Sequence, residues 1–195
     1  HLHGELGIAV LDLRADRIGP LGEQVLAVGA DPAFAIGWLL PSLAQFNRSW
    51  PDLRIDVLSI DSATASERSF DLIIRRTGPE GTTAAEEIPL FSETVVACVG
   101  REATRGQSDT TLLETLPLLR HTTTGEPQDL GTEDDTMPET GPIVDHCGVL
   151  LSAAVHGHGI ALVPGLLVQD DLHNGRLRQI GKSRDAGRYV VSICN

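Results

Sequence analysis

A chain of 195 residues is long enough for one large domain or two small lobes, with a sizeable core. Apolar residues at 41% and charged residues at 22% place it with ordinary globular proteins. The net charge of −12 argues against this chain itself gripping a nucleic-acid backbone, because that takes Lys and Arg to displace counterions.

Aromatics make up only 4% of the chain, too few for stacking platforms that read bases or sugars. No apolar run approaches the roughly 20 residues needed to span a bilayer, and no basic-then-apolar signal segment opens the chain. Three cysteines at wide spacings, Cys98, Cys147 and Cys194, make a poor disulfide framework and fit a reducing, cytoplasmic setting. The chain starts at His1 without Met and stops after an apolar run, so it is expected to be a piece of a longer protein.

In chain order, Leu6, Val10, Leu13 and Ile18 have helical spacing, and Gly19-Pro20-Leu21-Gly22 reads as a linker. Val25–Ala30 is short enough for a buried strand. Asp31-Pro32 is a helix-start signal, and Phe34, Ile36, Leu39, Leu40, Leu43 and Phe46 form a helix-period stripe. Pro41 predicts a kink inside that helix, and Pro51 ends it. Leu53, Ile55 and Val57 alternate with Arg54 and Asp56 as a strand, completing a parallel crossover unit. In such sheets small ligands bind where the helix begins, beyond the carboxyl end of the strand.

A turn and short helix are predicted over 58–69, then a strand at Phe70–Ile74 and a polar loop over 79–87. Ile88–Leu90 and Glu93–Val99 read as two further strands. Thr110–Leu116 is a helix, Leu118–His121 a strand, and the acidic, Pro- and Thr-rich run to Gly141 a mobile loop. Ile143-Val144 is a short strand, and Asp145 is expected to cap a helix closed by Gly157 and Gly159. Ile160–Val163 is a strand, Leu166–Leu172 a helix, and Leu177–Ile180 and Tyr189–Cys194 two strands, with no internal repeats.

The segments VGADPAFAIGWLLPSLAQFNRSWPDLRIDV, FDLIIRRTG, AAVHGHGIALVPGLLVQDDL and NGRLRQI resemble the effector-binding domain of LysR-type transcriptional regulators. The closest likeness is to the subgroup that controls glycine cleavage and β-lactamase expression, with its W-L-x-P-x-L-x-x-F and D-x-x-I-R signatures. The resemblance runs from about Gln24 to Asn195 and rests on four motifs in order. It implies an α/β, periplasmic-binding-protein-like (type II) fold of two lobes joined by two crossover strands. Residues 1–22 would be a linker-helix remnant, 23–92 lobe I, 93–188 lobe II, and 189–195 a crossover strand back to lobe I. The family's final helix and its winged-helix DNA-binding domain would lie outside this chain. The implied function is an effector-sensing and oligomerisation domain, cytoplasmic and not an enzyme. Its partners would be a small-molecule effector, a homodimer or homotetramer, and DNA only through the absent domain, with no membrane. The alternative is a free-standing periplasmic-type solute-binding protein.

By the resemblance, the effector lies between the lobes. The matching positions are Asp31, Pro32 and Ala33 at the first helix, then Ser59, Asp61 and Ser62, then Arg76, Thr77 and Gly78. His121, Thr122, Asp145 and His146 match from the second lobe. Many relatives carry Ser or Thr at the helix start to hold a carboxylate, whereas this chain has an acidic residue and a proline without an amide hydrogen. Asp31 as a plain helix cap, and ordinary turn chemistry for the others, are the competing readings. Arg76, Ser59 and Thr122 have the strongest case, because each can donate to an anionic or polar effector. No cofactor and no metal is expected: His146, Cys147, His156 and His158 lack paired zinc spacings. No catalytic residue is expected either, because Asp145-His146-Cys147 on one helix do not face one another. On the Phe34–Phe46 helix, which forms a dimer contact in relatives, Trp38 is either an anchor or a core residue.

Overall fold

Strand β1, Gln24–Ala30, turns straight into a helix at Asp31, and these two elements position most of the first candidate residues. The computed structural model describes residues 24–60, 70–78, 87–121, 130 and 138–194. The expected linker helix, the 58–69 helix beyond Ile60 and most of the 122–141 loop therefore lie outside the described residues.

The helix has three segments: α1 at Pro32–Phe34, a π turn at Ala35–Leu39, and α2 at Leu40–Ser49. The π turn is the chain's answer to Pro41. Proline has no N–H to bond and its ring crowds the carbonyl four residues earlier. Here the preceding turn is widened, with Leu40 N–H bonding Ala35 O. A wide turn stands just ahead of Pro41, where the kink was expected. It also shifts the phase of the stripe, so that Phe34 and Leu39 are buried while Ile36 and Leu40 face out.

Strand β2, Leu53–Ser59, runs parallel to β1 in a register from Gln24↔Leu53 to Ala30↔Ser59. Strand β3 is Leu72–Thr77 and also runs parallel to β1. It starts two residues later than Phe70, and just ahead of it the Asp71 side chain accepts from the Ala27 amide at 2.8 Å. Ile88–Leu90 and Glu93–Val99 are not separate strands but one, β4, Glu87–Gly100. A 3-10 turn, Glu102–Thr104, leads to α3, Asp109–Thr115, and β5, Leu118–His121. Then follow β6 (Thr140–Val144), α4 (Cys147–Val155), β7 (Ile160–Pro164) and α5 (Gly165–His173). The last strand, β8, is continuous over Leu177–Ile193, merging two predicted strands.

The chain divides into two compact units: His1–Ser92 with Gly187–Asn195, and Glu93–Ala186. Both divisions fall inside a strand, β4 and β8. In unit 1 the strand order is β2-β1-β3-β8, with β3 and β8 antiparallel. In unit 2 it is β6-β5-β7-β4, with β7 and β4 antiparallel. Each unit thus repeats one plan: three parallel strands in the order second, first, third, then one antiparallel strand.

The cores differ in kind. In unit 2, Val96 and Cys98 of β4 pack with Leu150, Ala154, Val163 and Val168 on one face. Ala97 and Val99 pack with Leu112, Leu113, Leu130 and Ile180 on the other. A strand covered on both faces reads as an unbroken apolar run, which is why ETVVACV does. Unit 1 instead gathers rings: Phe34 lies 5.0 Å from Tyr189, 5.2 Å from Trp38 and 6.1 Å from Phe91. Trp38 is therefore packed into this cluster. All seven aromatic residues of the chain belong to unit 1.

Gly187 opens the part of β8 that belongs to unit 1, at φ 91°. A Cβ there would lie 1.9 Å from the Thr77 carbonyl oxygen and 2.6 Å from the Gly78 carbonyl carbon. Gly78 itself has open space around its Cβ position. Gly187→Ala should therefore lower stability by more than about 2 kcal/mol, and Gly78→Ala by less than about 0.5 kcal/mol. Urea-unfolding midpoints of the two variants test this; equal midpoints would contradict it.

Candidate functional site

In unit 1 the parallel strands bring several candidates to one edge. Ala30 is level with Ser59 on β2 and with Ile74 on β3, so Asp31, Ser59 and Arg76 all lie at the carboxyl ends of neighbouring strands. The Asp31 amide donates to the Ile74 carbonyl at 2.8 Å. Its Oδ1 accepts from the Ala33 amide at 2.9 Å and the Phe34 amide at 3.2 Å, the geometry of a helix cap. The same oxygen accepts from the Tyr189 hydroxyl at 3.2 Å.

Arg76 sits opposite Tyr189 on the antiparallel ladder, which puts the two side chains on one face of the sheet. Arg76 is half-buried and forms no ion pair with another described residue. Its neighbour Arg75, on the opposite face, pairs with Glu87. Thr77 is buried, and its hydroxyl donates to the Arg188 carbonyl at 3.2 Å, so it ties β3 to β8. Ser59 and Gly78 are exposed, while Pro32 and Ala33 form the first helical turn.

In unit 2, His121 pairs with Val144 across β5 and β6, which places it beside Asp145 and His146. The cap of α4 is His146 and not Asp145: its Nδ1 accepts from the Gly148 amide at 3.1 Å. The residue before the helix has extended geometry, and its imidazole nitrogen does the work expected of a carboxylate. His146, Val149, Ser152, Ala153, His156 and His158 line a groove of about 470 Å³ along α4. His156 Nδ1 bonds the Ser152 carbonyl at 2.7 Å, and Cys147 is buried. Among the described residues, no three His, Cys, Asp or Glu side chains come together to hold a metal ion. Asp61, Ser62 and Thr122 lie outside the described residues.

Two residues escaped the sequence reading. Tyr189, the chain's single tyrosine, is buried against Asp31. Glu93, also buried, accepts from the Leu166 amide at the start of α5 at 3.3 Å. Gly165 makes room for it, since a Cβ there would lie 2.6 Å from Thr94 Oγ1 and 3.4 Å from Glu93 Oε1. A lone acid at the head of an apolar run was the available signal.

The LysR substrate binding domain matches residues 21–191. The chain belongs to the LysR substrate binding domain family. It is 29% identical over 194 residues to the HTH-type transcriptional activator AmpR of Rhodobacter capsulatus, covering 96% of this chain and 66% of that protein. It is 26% identical over 164 residues to the glycine cleavage system transcriptional activator of Escherichia coli strain K12, covering 78% of this chain and 52% of that one. The chain thus spans roughly half to two thirds of the length of these relatives. The effector domain of AmpR from Pseudomonas aeruginosa matches with a TM-score of 0.68 and 27% identity, over 88% of this chain and 86% of that one. The CrgA regulatory domain of Neisseria meningitidis shares the fold, with a TM-score of 0.70 over 89% of this chain and 90% of that one, at 20% identity. This LysR domain has the type II periplasmic-binding-protein-like fold. The relatives include the glycine-cleavage group that its W-L-x-P motif resembles.

One buried group of this LysR domain has a clear electrostatic signature. Burial, and secondarily the nearby Asp171 carboxylate, push the Cys98 thiol from 9.0 up to about 12. The thiolate is the reactive form, so Cys98 should resist a thiol reagent at pH 8 until the protein unfolds, while the half-buried Cys194 reacts first. Between pH 9 and 12 the unfolded state gives up this proton and the folded state keeps it. The unfolded state then binds fewer protons, so stability falls as pH rises through that window. Cys98→Ala should flatten the alkaline slope of the unfolding free energy; an unchanged slope would remove Cys98 as its source.

Proposed function

We propose that this chain is the effector-sensing and oligomerisation module of a LysR-type bacterial transcriptional regulator, working in the cytoplasm and not as an enzyme. Its membership of the family across residues 21–191 carries the reading, supported by relatives named as transcriptional activators. Those relatives favour a regulator over a free-standing solute-binding protein. On this reading residues 1–22 are the end of a linker helix, 23–92 are lobe I, 93–188 are lobe II, and 189–195 cross back. DNA is contacted through a domain outside this chain, which fits a net charge of −12. Among the described residues, no helix is long and apolar enough to cross a membrane.

The effector is a small molecule with an anionic or polar group, held by Arg76 together with Ser59 and Thr122. Asp31, Pro32, Ala33, Asp61, Ser62, Thr77 and Gly78 form the rest of the set in lobe I, and His121, Asp145 and His146 in lobe II. An effector works by binding one state of the regulator better than another, which shifts the population between them. Arg76 is the best anchor, because its charge is not spent on an ion pair with a described residue.

The module is a homodimer or homotetramer. Its exposed large apolar side chains support this: Ile36 at 39% and Leu40 at 51% project from the first helix, while Ile143 and Val149 are exposed on β6 and α4. A two-fold assembly would remove such faces from water.

Two experiments test the reading. A thermal-shift screen against amino acids, aromatic carboxylates and cell-wall peptides should find a ligand worth about 2.7 kcal/mol at a hundredfold excess over its dissociation constant. Arg76→Ala should weaken that ligand at least tenfold; an unchanged affinity moves the site elsewhere, and no hit at all argues against a small effector. In analytical ultracentrifugation, Leu40→Asp should weaken self-association at least tenfold with the fold intact. Unchanged association would take this helix out of the interface.

A further inference from the structure

We propose that His156 and His158 form an open, two-histidine site for a divalent transition-metal ion of the zinc and nickel class, at the far end of α4. The effector-module reading leaves both residues unused. Both are exposed, and both line the groove along α4. Their spacing lacks the second pair that closes a structural zinc site, but an open site needs fewer protein ligands and leaves the remaining positions to water.

The His156 ring is already set for coordination. Its Nδ1 lies 2.7 Å from the Ser152 carbonyl oxygen. A carbonyl only accepts, so Nδ1 carries the hydrogen and the lone pair of the neutral ring is on Nε2. Metal-ligating histidines are held in this way, because the bond to the carbonyl fixes both tautomer and ring orientation. His158 follows two residues on, and its ring makes no hydrogen bond with another described residue. Gly157 between them has φ 77°, so the chain turns there while both histidines still line one groove. The backbone favours a cation at this point. Helix α4 ends at Val155 with His156 as its C-cap, where the last carbonyls carry partial negative charge. The other lining residues, His146, Gly148, Val149, Ser152 and Ala153, include no Lys or Arg to repel the ion.

His146, the third histidine of the groove, is set the opposite way. Its Nδ1 lone pair accepts from the Gly148 amide at 3.1 Å, so the neutral ring carries its hydrogen on Nε2 and has no lone pair to offer. The groove therefore holds a pair of ligands, in keeping with the absence of a three-ligand cluster among the described residues. Imidazole nitrogen suits zinc, nickel and copper, whereas magnesium and calcium take oxygen.

The test is an NMR titration of the chain with zinc chloride, read at the Gly157 amide and the His156 and His158 rings, with magnesium chloride as the comparison. Zinc should give a saturable, one-to-one shift at these signals and magnesium none. His156→Ala and His158→Ala, both at exposed positions, should each weaken zinc at least about tenfold, as the loss of even an outer-shell partner does. Shifts that never saturate, that survive either substitution, or that magnesium reproduces would overturn the proposal. His146→Asn keeps a side-chain acceptor at the start of α4 and should leave zinc affinity within about twofold. A tenfold loss there would overturn the two-ligand assignment. Zinc held elsewhere on the chain, as at His1 or His3, registers at other signals, and none of these outcomes bears on the effector reading.

Discussion

The Asp31 carboxylate accepts from two helix amides and from a buried phenol, while the Asp31 amide holds the middle of β3 at Ile74. One residue therefore joins the first helix, the third strand and the last strand of unit 1. The phenol has the most to lose. A buried hydroxyl left without an acceptor costs about 1–3 kcal/mol, and Tyr189 is packed between Phe34 and Phe91, where water has no room to substitute. Cap, ring cluster and strand pairing are thus set by the same few atoms.

The two units repeat a strand plan without repeating a sequence. Parallel strands need only an apolar run and a crossover of sufficient length, and many side-chain sets meet that demand. Unit 1 fills its core with rings and unit 2 with aliphatic chains, so similarity between the halves is lost at the residue level. What remains common is the antiparallel fourth strand of each unit, which belongs to β4 or β8, the strands in which the chain passes from one unit to the other.

Local chemistry made much of this legible. Asp31-Pro32 marked a helix start, Asn47 to Pro51 its end, and alternation at Leu53–Val57 a strand, because each signal lies within a few residues of what it controls. The errors came where the controlling partner was distant or the signal ambiguous. Ile88–Leu90 and Glu93–Val99 read as two strands, yet the chain runs through Phe91 and Ser92 as one, with the Pro89 ring exposed, since proline's fixed φ fits an extended chain. The polar stretch Gly181–Asp185 lies between the strands expected at Leu177–Ile180 and Tyr189–Cys194, and it is part of one long strand. Pro41 gave warning of trouble but not of the π turn that relieves it. At the candidate site, Asp31 could be named from its neighbours, whereas its contact with Tyr189 spans 158 residues and Glu93 reaches 73 residues to Leu166. Asp145 and His146 were both in view, and only backbone geometry chose between them.

The uneven distribution of rings has an optical consequence. Trp38, Trp50 and Tyr189 all belong to unit 1, and residues 93–186 contain no Phe, Trp or Tyr. Intrinsic fluorescence and near-ultraviolet dichroism of this chain are therefore local gauges of one unit. Unit 2 is dark to both, so a change confined to it would pass unseen unless a tryptophan were placed there.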